Sequence, residues 1–312
     1  MNTFIKITEI WVPGPDRRRL ELNAGLYGSF HEFRELSEKK YFDYDQGLPG
    51  KAWAAGHPLV LTDFDHSYFQ RTEAAKKIGL TSGIAMPIFS GEFLMAVVVF
   101  LCGDDEAHAG AIEAWGTESS RVYELGLIDG YYGTLKDFEW ISRRIKMMRG
   151  FGLPGRTWEA GSPLLIDDLS NSETFVRPRE AQQAGITTAL GIPCFGASDQ
   201  VYVMTFLSAK KTPIARRIEI WKPDSNRDYL IFHSGYCDCD ANLVESYQSK
   251  QIKKGEGAIG QTWLTGIPMI QNEASPPNPE SVGSQHESAF YSLLAMPIIN
   301  AGILNSVVVF YI

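Results

Sequence analysis

Hydrophobic and polar residues follow the same succession of patterns three times along the chain. Each succession opens with two extended segments, FIKITEIW and LELNAGLY in the first, separated by turn formers at residues 12–16. Such a pair indicates a hairpin. A helical stretch follows, and in the middle of the chain its apolar stripe consists of Leu135, Phe138, Ile141 and Ile145. The opening of each succession therefore predicts a hairpin beside a helix.

The rest of each succession predicts a short strand, a second helix and a closing pair of strands. A G-x-P-G-x-x-W turn leads to an apolar strand at residues 58–61 and then to the helix RTEAAKKIG, where Gly79 stands at the usual place of a C-terminal glycine. The runs GIAMPIF and FLMAVVVFL follow with a short connection, which favours antiparallel pairing. The order ββαβαββ predicts an α+β domain with helices on an antiparallel sheet.

Identical residues recur at intervals of about 105 positions. They include Trp53, Trp158 and Trp263, Gly50, Gly155 and Gly260, and Pro58, Pro163 and Pro268. A glutamate precedes another tryptophan by two positions in each unit, at Trp11, Trp115 and Trp221. The chain is therefore predicted to hold three copies of a domain-sized unit, at residues 1–107, 108–213 and 214–312.

The overall composition is that of a globular protein and excludes several classes. The chain has 312 residues, of which 44% are hydrophobic and 21% charged, so it can build real cores. The net charge of −8 argues against a nucleic acid or an anionic membrane as partner. No apolar run approaches the roughly 18–20 residues of a membrane span, and the first residues lack the pattern of a secretory signal. We expect a cytoplasmic protein whose four cysteines stay reduced.

The motif residues of the first repeat are G-L-P-G-K-A-W at 47–53, Gly56, Pro58, Asp63, F-Q-R at 69–71, Gly79 and A-V-V-V-F at 96–100. This set resembles the GAF domain family, most closely the GAF domains upstream of bacterial histidine kinases. The second repeat matches at the corresponding positions, and the third matches only in its front half and closing strands. The resemblance implies three tandem GAF-like domains, each an antiparallel sheet flanked by helices, with the third degenerate.

GAF domains bind many ligands or none, so the resemblance implies a role more weakly than it implies a fold. It favours a non-enzymatic sensory or regulatory protein that binds a small molecule in one or two of its pockets and signals to a partner protein. A ligand-free interaction scaffold is the alternative. A methionine sulfoxide reductase of GAF type is disfavoured, because the resemblance implies several pocket cysteines for such an enzyme, and Cys102 and Cys194 stand singly on or beside strands. The sequence identifies neither the ligand, a cofactor, the partner nor the oligomeric state.

Eight residues are candidates for ligand binding, four in each of the first two repeats. They are Trp53, Asp63, Phe69 and Arg71, and Trp158, Asp168, Phe175 and Arg177. An arginine in this segment could grip a carboxylate or a phosphate. Each residue also has a structural interpretation: the tryptophans and phenylalanines as core, the aspartates as helix caps or turn residues, and the arginines as partners of an acid in the protein.

Three further features lead to weaker expectations. The basic run at residues 143–149 is predicted to lie in a helix with a solvated face, and a docking surface for an acidic partner is the alternative. Cys237-x-Cys239 has too few neighbouring ligands to predict a metal site. Short links between the repeats allow strands to pair across a repeat boundary, in which case residues 3–47 would complete the C-terminal domain.

Overall fold

Each third of the chain folds into a sheet of its own. The computed structural model describes residues 3–103, 110–118, 121–196, 200–209, 212–237, 243–274 and 291–312. In this part of the chain, three antiparallel six-stranded sheets carry short helices. The predicted α+β fold of three tandem GAF-like domains is confirmed at this level.

The nine elements of the first repeat begin with a hairpin and end with another. They are β1 Ile5–Pro13, β2 Arg19–Leu26, α1 His31–Glu38, β3 Tyr41–Asp43, α2 Gly47–Ala55, β4 Leu59–Leu61, α3 Thr72–Lys77, β5 Ser82–Ser90 and β6 Phe93–Cys102.

The second and third repeats follow the same plan. The second has β7 Gly110–Glu118, β8 Arg121–Tyr131, α4 Lys136–Ser142, β9 Lys146–Met148, α5 Gly152–Ala160, β10 Leu164–Ile166, a 3-10 turn at Leu169–Asn171, α6 Pro178–Gln183, β11 Ile186–Cys194 and β12 Tyr202–Ala209. The third has β13 Arg217–Pro223, β14 Tyr229–Cys237, α7 Leu243–Tyr247, β15 Gln251–Lys253, α8 Gly257–Thr265, β16 Met269–Ala274, β17 Tyr291–Asn300 and β18 Ile303–Tyr311.

The first and last strands of each repeat lie side by side in the middle of its own sheet. The strand order in the first repeat is β3-β2-β1-β6-β5-β4, and the other two sheets repeat it. Ile10 pairs with Val98, and Ile220 pairs with Val308. The expectation that residues 3–47 complete the C-terminal domain is therefore wrong. Pairing within one repeat closes a shorter loop, which costs less entropy than closure over the whole chain.

The G-x-P-G-x-x-W motif forms a helix rather than the predicted turn. It begins α2 and α5, and the corresponding segment G-A-I-G-Q-T-W, which lacks the proline, begins α8. A Cβ atom on Gly50 would overlap the carbonyl oxygen of Asp43, and Gly155 and Gly260 meet the carbonyls of Met148 and Lys253 in the same way. The recurring glycine thus lets each helix approach the short edge strand that precedes it. That strand was not predicted.

The basic run at residues 143–149 is not helical, contrary to the expectation. Helix α4 ends at Ser142, and Lys146–Met148 form the edge strand β9, which pairs with β8. The Ser142 hydroxyl donates a hydrogen bond of 2.6 Å to the carbonyl oxygen of Phe138 one turn back, an arrangement that bends and weakens a helix. Ile145 therefore lies beyond the helix to whose stripe it was assigned.

One apolar core joins the three sheets. Phe100, Phe206 and Phe310 meet ring to ring, with centroids 5.6 Å and 5.9 Å apart. They belong to a continuous buried cluster drawn from the closing and opening strands of all three repeats. The opposite face of each sheet packs on the helices of its own repeat. Because both faces are covered, the closing strand A-V-V-V-F is apolar without alternation.

The repeats contact one another head to tail. The His57 ring, just after α2, stacks on Tyr202 of the second repeat at 4.6 Å. Just after α5, the Ser162 hydroxyl lies 3.3 Å from the Lys222 ammonium of the third repeat. Gly266, which ends α8, lies beside a methionine of the first repeat. The same end of each repeat therefore touches the next, and the third returns to the first.

Truncation of the central phenylalanine tests whether the three sheets form one stability unit. Phe206→Ala removes a ring that is 1% exposed and contacts both other repeats, so we expect the free energy of unfolding to fall by about 3–5 kcal/mol. Urea unfolding followed by circular dichroism measures this change. Phe93→Ala, at a position 63% exposed, is the control and should change stability by less than about 0.5 kcal/mol. Similar losses in both variants would contradict the central core.

Candidate functional site

The first strand of every repeat buries a glutamate. Glu9, Glu113 and Glu219 are each 0% exposed. A tryptophan follows two positions later, on the same face of the strand. In the first repeat Trp11 Nε1 donates a hydrogen bond of 2.9 Å to Glu9 Oε2. The recurring Glu-x-Trp pattern was therefore the signal for a buried carboxyl group in each domain, although none of these glutamates was among the predicted site residues.

An arginine from the loop before α3 neutralises the glutamate of the first repeat. Arg71 Nη1 and Nη2 lie 2.5 Å and 2.8 Å from the two oxygens of Glu9, a bidentate pair. Nη1 also donates to Ser37 Oγ at 2.6 Å, and the Tyr27 hydroxyl donates to Glu9 at 3.0 Å. Each carboxylate oxygen thus accepts hydrogen bonds from within the repeat.

The second repeat builds the same network with one addition. Arg177 lies 2.5 Å and 2.9 Å from the oxygens of Glu113, and it also contacts Ser142. Tyr132 donates to Glu113 at 3.0 Å, and Thr205 adds a bond of 2.8 Å. The networks of the first and second repeats are therefore equivalent.

Aromatic rings enclose the two guanidinium groups. Arg71 Cζ lies 4.8 Å from the ring centre of Phe33 and 5.4 Å from that of Phe69. Arg177 Cζ lies 4.5 Å and 5.3 Å from the rings of Phe138 and Phe175. The candidate pairs Phe-x-Arg are thus brought together, but inside the core and around an internal carboxylate.

The environment keeps both glutamates ionised. Burial raises the pKa of the Glu9 carboxyl. The charge and hydrogen bonds of Arg71 and the hydrogen bond of Trp11 lower this pKa by more than burial raises it, so the pKa lies below its usual value. Burial and the charge of Arg177 oppose each other at Glu113 in the same way, and its pKa is also lowered. The two pairs are buried salt bridges in which each charge depends on the other.

The remaining candidate residues of the first two repeats lie apart from these networks. Asp63 is exposed and accepts a hydrogen bond of 2.8 Å from the backbone of Asp65. Asp168 caps the 3-10 turn, and hydrogen bonds from Ser170 and Asn171 lower its pKa. These contacts correspond to the structural interpretation of the aspartates.

The two candidate tryptophans are half-buried and do not share a site. Trp53 meets the ring of Tyr44 edge to face, with centroids 5.2 Å apart. Trp158 lines a cleft of about 590 Å³ where the three repeats meet. Neither Phe69 nor Arg71 lines that cleft. The residues expected to surround one pocket are therefore distributed over the core, two turns and an inter-repeat cleft.

The third repeat neutralises its glutamate from a different element. Arg217, two positions before Glu219 on β13, forms the ion pair, and its guanidinium carbon lies 4.3 Å and 5.1 Å from the rings of Tyr247 and Tyr311. The equivalent residues of the other repeats are Ile7 and Ala111. The counterpart of Arg71 would fall in residues 275–290, which lie outside the described residues.

A second cation lies beside this ion pair. The Lys250 ammonium is 3.6 Å from the ring centre of Tyr247, and it is buried without a hydrogen-bond partner in the described part of the chain. Burial and the charge of Arg217 lower the pKa of Lys250. Burial raises the pKa of Glu219, despite the opposing charge of Arg217. Among the described residues, this part of the third repeat therefore brings together two cations, Arg217 and Lys250, and one carboxylate, Glu219.

The described cysteines do not form a reactive cluster. Cys102 is buried, Cys194 and Cys237 are half-buried, and burial raises the pKa of Cys194 to about 12. Cys239, the second residue of the predicted pair, lies outside the described residues. Among the described residues, no group of three or more His, Cys, Asp or Glu side chains could hold a metal ion. None of the helices in the described ranges has the length and apolar character that a membrane crossing requires.

The chain is similar to several solved structures, each over about one repeat. The GAF domain of nlh2 from A. aeolicus is 22% identical over 33% of this chain and 60% of its own, with a TM-score of 0.27. A GAF domain/HD domain protein from Geobacter sulfurreducens is 10% identical over 33% and 65%, with a TM-score of 0.28. Free methionine-R-sulfoxide reductase from Neisseria meningitidis is 18% identical over 31% and 52%, with a TM-score of 0.25.

These similarities agree with the predicted likeness to GAF domains and carry no argument about function. The chain spans less than two thirds of the length of each of these three structures. No protein-family model matches the chain, and no curated protein matches it.

Removal of a buried guanidinium tests the internal ion pair. Arg177→Gln leaves the Glu113 carboxylate buried without its counter-charge, so we expect a loss of about 3–5 kcal/mol in the free energy of unfolding. The control is Arg179→Gln, two positions along at an exposed site, which should cost less than about 0.5 kcal/mol. Chemical denaturation of both variants provides the comparison, and equal stabilities would show that the pair is dispensable.

The opposite pKa shifts of Glu113 and Glu219 predict opposite effects of pH. A lowered native pKa contributes stability above the unfolded pKa, and this is lost as pH falls through the native value. A raised native pKa has the reverse effect. The contribution of Glu219 to the stability of the protein is therefore lost as pH rises through the native pKa of this residue. Glu113→Gln should therefore destabilise the protein most near about pH 7. The stability of Glu219→Gln, measured against that of the wild type at the same pH, should rise between about pH 4 and pH 7. Denaturant midpoints across this range measure both, and parallel profiles would contradict the assignment.

Proposed function

We propose that this chain is a non-enzymatic regulatory protein that binds a small anion in the interior of its third repeat. The observation that carries the proposal is the buried ammonium of Lys250 beside the Arg217–Glu219 ion pair. A conformational change on binding would be read by a partner protein. This places the ligand in the repeat that the sequence marked as degenerate rather than at Arg71 or Arg177.

Comparison of the three interiors supports this location. In the first repeat one guanidinium meets one carboxylate, as in the second, and the charges balance. In the third repeat the Lys250 ammonium packs on the ring of Tyr247 beside the ion pair, and the equivalent positions are Lys40 in the first repeat and Ile145 in the second. A buried charge without a partner is costly. An anion bound there would compensate Lys250.

The chemistry of the site favours a compact anion with planar or tetrahedral oxygens. A guanidinium and an ammonium can both donate hydrogen bonds to such a group. Two tyrosine rings, those of Tyr247 and Tyr311, flank the Arg217 guanidinium and limit the space around it. Nitrate, acetate and phosphate therefore serve as probes of different shape.

Thermal unfolding of the full chain with each anion tests the proposal. Chloride at the same ionic strength is the reference. One of the three anions should raise Tm in a concentration-dependent manner, since a ligand at about 100 times its Kd stabilises by about 2.7 kcal/mol. Lys250→Gln should lower the affinity for the anion at least about tenfold. Lys250→Ile, which introduces the residue of the second repeat, should lower it by a similar factor.

Lys253→Gln provides the matched control, because it removes the same charge from an exposed position on β15. Its anion affinity should equal that of the wild type. A Tm that responds to none of the three anions beyond the chloride reference would overturn the proposal. Unchanged affinity in Lys250→Gln would do so as well.

A ligand-free interaction scaffold is the second candidate function. The networks around Glu9 and Glu113 favour it, because both oxygens of each carboxylate accept hydrogen bonds from within the same repeat. Failure of all three anions to bind would shift the assignment to this scaffold. The similarity to a methionine sulfoxide reductase finds no support in the described cysteines, because the high pKa of Cys194 disfavours a thiolate nucleophile.

A further inference from the structure

The cleft at the junction of the three repeats is separate from the interior of the third repeat. Its volume is about 590 Å³, within the range of small-molecule sites. The β5–β6 hairpin of the first repeat, the end of α5 with β11 and β12 of the second, and the β17–β18 turn of the third all line it. A ligand held here would touch all three repeats at once.

The cleft offers an apolar floor. Phe89 and Phe195 line both this cleft and a small void beside it, where the Met-Pro or Ile-Pro segments of the three closing hairpins converge. The half-buried Trp158 and the ring of Tyr202 add aromatic surface. Such a surface would desolvate an apolar or aromatic group of a ligand.

Charges of both signs line the same cleft. Arg149 and Glu159 come from the second repeat, and Glu92 comes from the hairpin of the first. Within the described ranges, none of these three side chains forms an ion pair or a side-chain hydrogen bond, so the guanidinium and the carboxylates are available to a ligand. The equivalents of Arg149 and Glu159 are Tyr44 and Ala54 in the first repeat and Lys254 and Leu264 in the third, so only the second repeat combines a cation with a carboxylate at these positions.

We propose that the cleft binds a small zwitterion with an apolar body, such as an amino acid with a large side chain. Its carboxylate would contact Arg149, its ammonium group would contact Glu92 or Glu159, and its side chain would lie on the aromatic floor. A simple organic anion would face two carboxylates, and a simple amine would face the guanidinium, so only a ligand with both charges is complementary.

Calorimetric titration of the full chain with three matched probes tests this. L-Phenylalanine carries both charges, 3-phenylpropionate lacks the ammonium group, and phenethylamine lacks the carboxylate. Phenylalanine should bind at least about tenfold more tightly than either analogue. Arg149→Gln should weaken phenylalanine binding by at least about tenfold. Arg156→Gln removes an exposed arginine of α5 that does not line the cleft, and it should leave the affinity unchanged.

Lys250→Gln separates this inference from the anion site of the third repeat. It should leave phenylalanine binding unchanged, and a loss of binding in this variant would assign the ligand to the third repeat and overturn the inference. Equal affinity for phenylalanine and 3-phenylpropionate would also overturn it, because the two carboxylates would then play no part. So would unaltered binding in Arg149→Gln, or no binding of any probe at about 10 mM.

Discussion

The three sheets depend on one another because the closing strands in the middle of each sheet are buried on both faces. Helices of the same repeat cover one face, and the other two sheets cover the opposite face around Phe100, Phe206 and Phe310. A single repeat would leave a large apolar surface exposed, which monomeric proteins avoid. The unit of stability is therefore the set of three repeats, although each has the size and topology of a domain.

A second requirement is the neutralisation of one buried carboxylate per sheet. Two repeats satisfy it with an arginine about sixty residues along the chain, Arg71 or Arg177, and the third with Arg217 on the same strand. The Glu219 carboxylate thus also meets a guanidinium, although that guanidinium comes from a different element. Because Arg217 approaches from the strand, its guanidinium packs on the ring of Tyr247, which the Lys250 ammonium also contacts. The interior of the third repeat differs from the other two in this respect.

The sequence predicted the repeat, the α+β class and the antiparallel sheets because these depend on local periodicity and on residues that recur every 105 positions. It did not predict the short edge strands, which are three residues long and are stabilised by pairing rather than by their own pattern. The Phe-x-Arg segments were candidates for ligand binding, but Glu9, the partner of Arg71, is 62 positions away, and no local pattern reveals such a contact. The inter-repeat cleft likewise depends on contacts between distant segments.

The head-to-tail arrangement has a consequence for how such a molecule can change. A ring of three identical subunits must use the same contact three times, so any alteration is repeated at every junction. Here one chain supplies all three junctions, and they already differ: a histidine on a tyrosine at His57, a hydroxyl beside an ammonium at Ser162, and a glycine beside a methionine at Gly266. Each junction can therefore be modified separately. Because the repeats are joined in one chain, the three junctions can have three different chemistries. Each of the three repeats already uses this contact surface within the molecule.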